Sequence, residues 1–225
     1  MGIFGKKKYS DPAKNQSCTE FEVNNWATSE FIVETLIPAV GVHPFPIDEL
    51  SLITAAVCRF RPVLIFEWGT NIGKSARAFR EIANAFGIET HVHSVDLPDD
   101  VHHGEHPRNN RGKLVRGMKG VTLHQGDGVE TSLSIMQREK AKGRSLYFVD
   151  GDHSYESVKR ELTMILDADP EAVVLLHDTF WQSEESGYNV GPYKAINDVL
   201  LSRDKKYKRL STQLGLPGMT LIYPA

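Results

Sequence analysis

Two short segments carry most of the chemistry of this 225-residue chain. In "YFVDGDHSYESVKREL", Asp150, Asp152 and His153 follow an apolar run, and in "VVLLHDTF" His177 and Asp178 do the same. Each run reads as a strand buried on both faces, and ligands gather beyond the C-terminal ends of such strands. Ends of neighbouring strands lie ~4.8 Å apart, so all five groups can converge on one point. An imidazole, with an unperturbed pKa near ~6.5, is better suited than a carboxylate to take a proton near neutrality, which favours His153 over Asp152 as a base. The same residues have plainer uses. Strand-end carboxylates cap helices or line polar pockets, and a histidine in a first helical turn can bond a nearby carbonyl.

A third segment, "VLIFEWGTNIGKSARAF", joins an apolar run to a helical pattern through Gly69, Thr70, Asn71, Ile72 and Gly73, with Lys74 and Ser75 following. A nucleotide-phosphate loop needs four residues between its glycines, and three stand here. The dinucleotide fingerprint fails as well, because Asn71 occupies its second glycine. What remains is an acid, Glu67, at the end of a strand, then Gly-x-x-x-Gly opening a helix. That arrangement brings a backbone close to a ligand and aims helix amides at a carboxylate. Lys74 is then incidental and solvent-facing. About twenty residues on, Asp96 ends "THVHSVD", where a carboxylate can accept hydrogen bonds from both hydroxyls of a ribose or simply cap a turn. Asp127 in "HQGDGVE" follows the next strand and can serve equally as a helix N-cap.

The elements that must position these groups alternate along the chain. From residue 63 onward, short apolar runs and helical stretches take turns, which implies a doubly wound parallel sheet. The last two strand-like segments, "KKYKRLSTQL" and "GMTLIYP", are joined only by "GLP", too short for a parallel crossover, so they form an antiparallel hairpin. Upstream, "FEVNNWATSEFIVETLIPAV", stopped by Pro38, and "PFPIDELSLITAAVCRFRP" read as two helices packing on the edge or mouth of the sheet. This divides the chain into a mobile tail over 1–20, a helical extension over 21–62 and an α/β domain over 63–225.

Composition narrows the setting. With 40% hydrophobic and 24% charged residues, the chain reads as one soluble domain. A net charge of −3 gives no electrostatic reason to expect nucleic acid. No apolar run approaches the ~18 residues of a membrane span, and "MGIFGKKK" is too polar for a signal peptide, so the expected compartment is the cytoplasm. Cys18 and Cys58 are far apart and read as ordinary thiols in a reducing environment.

Glu67, the Gly69–Gly73 spacing and the closing hairpin together resemble class I S-adenosylmethionine-dependent methyltransferases, with a Rossmann-like, mostly parallel seven-stranded sheet, from about Val63 to Tyr223. The strand-end residues extend the likeness to the macrocin O-methyltransferase and cephalosporin hydroxylase group and to catechol-type enzymes. The resemblance implies that Glu67, Gly69, Thr70, Asn71, Gly73, Ser75, Asp96, Asp127 and Asp150 bind S-adenosylmethionine, Ser75 through the cofactor's carboxylate. It further implies a divalent ion, Mg²⁺ or Mn²⁺, on Asp150, His177 and Asp178, and proton transfer by His153 or Asp152. His177 departs from the all-oxygen pattern: either the metal is softer than Mg²⁺, such as Mn²⁺, Fe²⁺ or Zn²⁺, or His177 stands behind the ligands, or the metal is lost. The implied reaction is O-methylation of a small hydroxylated molecule, a sugar or secondary metabolite.

Relatives are often homo-oligomers, and Trp26 and Phe31 could serve such an interface. Trp181 and Tyr188 could wall the substrate site or pack on the N-terminal helices. Arg108 and Arg111 stand in a loop with His102, His103 and His106, available to an acidic substrate. A zinc site in that loop with His91 and His93 is a weaker reading. Two rival classes stay open: a cofactor-binding member that does not methylate, and a P-loop-like NTPase.

Overall fold

The computed structural model describes residues 9–13, 20–101, 104 and 108–225; Cys18, His102, His103, His106 and most of the expected tail lie outside them. Three helical segments come first: α1 (Asn25–Phe31), α2 (Ile37–Val40) and α3 (Ile47–Phe60). Then follow β1 (Leu64–Trp68), α4 (Lys74–Phe86), β2 (His91–Asp96), β3 (Val121–Gln125), α5 (Gly128–Glu139), β4 (Ser145–Val149), α6 (Tyr155–Ala168), β5 (Val173–His177), α7 (Val190–Leu201), β6 (Tyr207–Ser211) and β7 (Met219–Pro224).

The sheet has seven strands in the order β3-β2-β1-β4-β5-β7-β6. Strands β1 to β5 run parallel, and β7 lies antiparallel between β5 and β6. This is the doubly wound sheet with a closing hairpin that the sequence predicts, although seven residues rather than three link β6 to β7. Chain direction across the sheet reverses between β1 and β4, which opens the binding crevice at their C-terminal ends.

All residues of β1, β4 and β5 are buried, because helices cover both faces. Alternate side chains feed separate cores. Leu146 and Phe148 pack with Phe31, Ile53 and Phe79, while Tyr147 and Val149 pack with Val129, Leu162 and Ile196. Each such side chain removed from water contributes roughly 1.5–3 kcal/mol.

The N-terminal helices differ from expectation in detail. Pro38 does not end the first one. A π-helical stretch, Ile32–Leu36, widens the turn ahead of it, so the missing N–H and the bulky ring are accommodated and the helix runs on to Val40. Phe31 is fully buried against Tyr9 and Phe86, so of the two aromatics considered for an interface only Trp26 is exposed. Lys74 is half-buried, and at the surface its ammonium donates to the His43 carbonyl, tying α4 to the segment before α3. Among the described residues, the connection from β2 to β3 holds a single 3₁₀ turn at Arg108–Asn110 in place of a crossover helix.

The crevice is narrow for a definite reason. Gly69 has φ of 90°, and a Cβ there would lie 2.1 Å from the Asp150 carbonyl oxygen. Gly69→Ala should therefore push the ends of β1 and β4 apart and cost at least ~3 kcal/mol in urea unfolding. Gly41→Ala, with φ of 77° and nothing within 4 Å, should cost only ~1 kcal/mol. Equal midpoints for the two variants would refute the contact's importance.

Candidate active site

Two networks flank the crevice. The first builds the glycine loop. Glu67 is completely buried, and its carboxyl accepts from the Ser75 hydroxyl at 2.7 Å and from the Ser94 hydroxyl, which in turn lies 2.5 Å from Thr70 Oγ1. Burial pushes the Glu67 carboxyl up to about 7, only partly offset by the two hydroxyls. Glu67, Ser75 and Thr70 are thus the loop's internal frame, with the Ser75 hydroxyl turned to Glu67. The loop's outer side is held by Gly112 and Leu114, whose amides donate to the carbonyls of Asn71 and Ile72. Among the described residues no side chain caps α4 at Gly73, so its first amides remain suited to an anionic group.

Asp96 faces this loop. Its Oδ2 accepts from the Asn71 amide at 3.1 Å and its Oδ1 from the Leu97 amide at 2.8 Å, with Arg111 Nε 3.5 Å away. Asp127 takes the helix-capping role: it accepts from the Glu130 amide at 2.9 Å and pairs with Arg160 at 3.0 Å. Partial burial would raise its pKa, but Arg160 and the amide outweigh that and hold it below the usual range. Lys74, bonded to His43, is not placed to serve a phosphate.

The second network stands at the ends of β4 and β5. His177 is buried, with Nδ1 2.8 Å from Asp150 Oδ1 and 3.5 Å from Asp178 Oδ2, and with Nε2 3.0 Å from Glu49 Oε2. Burial alone would lower its pKa, yet the surrounding carboxylates, Asp150 foremost, prevail and push it up to about 10. Asp178 adopts a left-handed backbone, φ 55°, lies 3.0 Å from His153 Nε2 through Oδ2, and accepts from the Tyr188 hydroxyl at 3.2 Å. Phe45 covers the imidazole of His177 edge-on at 5.1 Å. Asp150, His177 and Asp178 each offer one donor atom within 4.8 Å of the others.

Neighbouring residues separate here. His153 joins the cluster through Asp178, whereas Asp152 accepts from the Ser154 amide and hydroxyl in a local turn. Tyr188 enters through its hydroxyl, and Trp181 stacks on Tyr193 at 4.7 Å. His91 and His93 share a face of β2, with His93 3.1 Å from His124 and 3.4 Å from Glu139. The desolvated His93 is held near 3 and stays neutral. Cys58 is buried, and burial raises its thiol's pKa, as expected of an ordinary core thiol.

The residue that sequence reasoning missed is Glu49. Its signal was there: it shares helical spacing with Leu52, Ile53 and Ala56, all buried, so an acid sits on the apolar face of α3. An acid in a first helical turn also complements the helix dipole, which accounts for it without a buried partner.

These shifts set a pH dependence. His177, at about 10 folded against 6.5 unperturbed, stabilises fully below about pH 6.5 and loses that contribution as pH rises through about 10. Glu67 and Glu161, both raised by burial to about 7 from 4.5, contribute fully below 4.5 and lose it as pH rises through 7. Melting in EDTA should therefore fall in two stages as pH rises from about 5, and Glu67→Gln should flatten the first stage. A profile unchanged by that substitution would count against the buried-acid account.

Comparison with known proteins agrees with this geometry. The family model of a methyltransferase domain matches residues 66–179, about half of the chain. No curated protein matches it by sequence. Among solved structures, the SAH-bound methyltransferase of Podospora anserina is similar at 17% identity over 78% of this chain and 77% of that one, with a TM-score of 0.54. The TDP-rhamnose 3′-O-methyltransferase of calicheamicin biosynthesis aligns at 17% identity, 87% and 86% coverage, TM-score 0.56. An O-methyltransferase from Bacillus cereus in complex with SAH aligns at 16%, 88% and 90% coverage, TM-score 0.54. At such identities these structures share the fold. The family match goes further: the chain belongs to the methyltransferase-domain family and has the class I methyltransferase fold.

Proposed function

We propose that this protein transfers the methyl group of S-adenosylmethionine to a hydroxyl oxygen of a small molecule, a sugar or secondary metabolite, with the help of a divalent ion. The observation that carries the reading is the convergence of Asp150, His177, Asp178 and His153 one strand away from the glycine loop. On this reading the open amides of α4 receive the cofactor's carboxylate and Asp96 its ribose hydroxyls, and the close approach of Gly69 to Asp150 keeps the reacting groups near each other.

The donor set fits a metal. Two carboxylates and an imidazole, all within reach of one point, suit Mn²⁺ or Fe²⁺ better than Mg²⁺, and Glu49 behind His177 supplies the outer hydrogen bond that metal-bound histidines usually have. Asp150, His177 and Asp178 would hold the ion, which would lower the pKa of an acceptor hydroxyl bound to it.

The protein's own residues do the rest. His153 accepts the hydroxyl proton as the acceptor oxygen bonds to the methyl carbon and the carbon–sulfur electrons return to sulfur. Asp178 fixes the His153 ring and balances the imidazolium it becomes. Tyr188, half-exposed beside Asp178, offers an aromatic surface to the acceptor.

Calorimetry with S-adenosylmethionine should show binding that is lost in Asp96→Ala. Methyl transfer to a panel of hydroxylated small molecules should need Mn²⁺ and stop in EDTA. His153→Ala should lower kcat by about 10²–10⁴-fold with cofactor affinity unchanged. Absence of cofactor binding would sink the reading, and undiminished transfer in EDTA would remove the metal from it.

A further inference from the structure

We propose that Glu49 is a positioning residue: it keeps a proton on Nε2 of His177 and so reserves Nδ1, beside Asp150 and Asp178, as the nitrogen that can ligate, so that the first turn of α3 is a working part of the reaction centre. The metal-affinity consequence rests on the function proposed above; the proton on Nε2 does not.

The geometry leaves Glu49 little freedom. The side chain is 1% exposed, its Oε2 lies 3.0 Å from His177 Nε2, and its Oε1 accepts from the Gly218 amide at 2.8 Å. Gly218 cannot retreat. A Cβ there would meet Phe180 at 2.4 Å, and its carbonyl accepts from the Thr179 amide, one residue beyond Asp178. The carboxylate is therefore clamped between α3, the turn before β7 and the end of β5.

An ionised carboxylate only accepts hydrogen bonds, and the Gly218 amide already uses one oxygen. The other oxygen calls for a donor, so Nε2 of His177 carries a proton; Asp150 calls for one on Nδ1 as well, so without a cation the ring is an imidazolium, and Nδ1, turned to the two aspartates, is the nitrogen that gives up its proton when a cation binds. For a cation held there, Nδ1 is then the lone-pair donor. The residue doing this lies 128 positions away in sequence, in a helix outside the matched family region.

Glutamine at this position should reverse the arrangement without changing its volume. Its amide oxygen would keep the Gly218 N–H, and its NH₂ group would donate to Nε2, leaving the ring proton on Nδ1 alone. Ligation through Nδ1 would then require a proton on Nε2 with no acceptor facing it.

The test compares wild type, Glu49→Gln and Glu49→Asp, with melting and S-adenosylmethionine affinity reporting the fold. We expect Glu49→Gln to weaken Mn²⁺ binding by about 10–100-fold while the cofactor binds as before, and Glu49→Asp, still an acceptor only, to lose less. In ¹⁵N spectra of the imidazole, Nε2 should be protonated in wild type and unprotonated in Glu49→Gln. Equal Mn²⁺ affinity and unchanged nitrogen shifts would overturn the inference. If wild type binds no Mn²⁺, the metal reading fails, and the nitrogen spectra alone decide the role of Glu49. An unprotonated Nε2 in wild type overturns it without recourse to any variant.

Discussion

One buried imidazole holds one side of the crevice together. His177 touches Glu49 from α3, Asp150 from the end of β4 and Asp178 from its own strand end, and Glu49 in turn binds the turn before β7. An isolated charge in that place would be prohibitive, so each member is tolerable only because the others are there. Removing one partner strands the rest, which makes the cluster a constraint on four elements at once. The N-terminal helices, the parallel sheet and the closing hairpin must all be docked before any of these charges can be buried.

The opposite side of the crevice solves the burial problem differently. Glu67 has hydroxyl donors and no cation, and it meets the cost of desolvation by holding its proton until about pH 7. A neutral, hydroxyl-bonded acid suits a loop that must stay rigid beneath a ligand. A charged, ion-paired centre suits a site that must manage protons and charge. Gly69 and Asp150 bring the two environments into backbone contact, so the division between them runs down the crevice itself.

This division explains what could be read from the sequence. Strand-end acids and the glycine spacing are local signals: Asp96, Asp150 and Asp178 stand where alternation of strands and helices puts them, and the hairpin follows from a short connection. The choice between Asp152 and His153 is not local in that sense. Both follow β4 within four residues, and a turn around Ser154 takes one carboxylate while Asp178 takes the imidazole. Glu49 was hidden by distance along the chain, and Ser75 by an ambiguity of direction, since a hydroxyl at a helix start can face a ligand or the buried acid beneath it. Pro38 misled because a π-turn absorbs what an α-turn cannot.

Charge balance bears on how such a site would divide binding from catalysis. Glu49, Asp150 and Asp178 carry three negative charges around one imidazole, so the centre stays negative whether His177 holds a proton or a divalent ion neutralises part of it. On the proposed reading a sulfonium would sit beside that field, and the attraction would tighten its binding. Attraction of this kind is not acceleration, because the positive charge fades from sulfur as the methyl leaves, so the ground state benefits more than the transition state. The rate must come from elsewhere: from the acceptor oxygen, where negative charge develops, and from a base that becomes positive as it takes the proton. On that reading His153 would meet the demand because Asp178 already faces it, placed to stabilise an imidazolium as the sulfonium's charge is lost. The cluster would then hand one positive charge from cofactor to base and stay in nearly the same electrostatic state throughout.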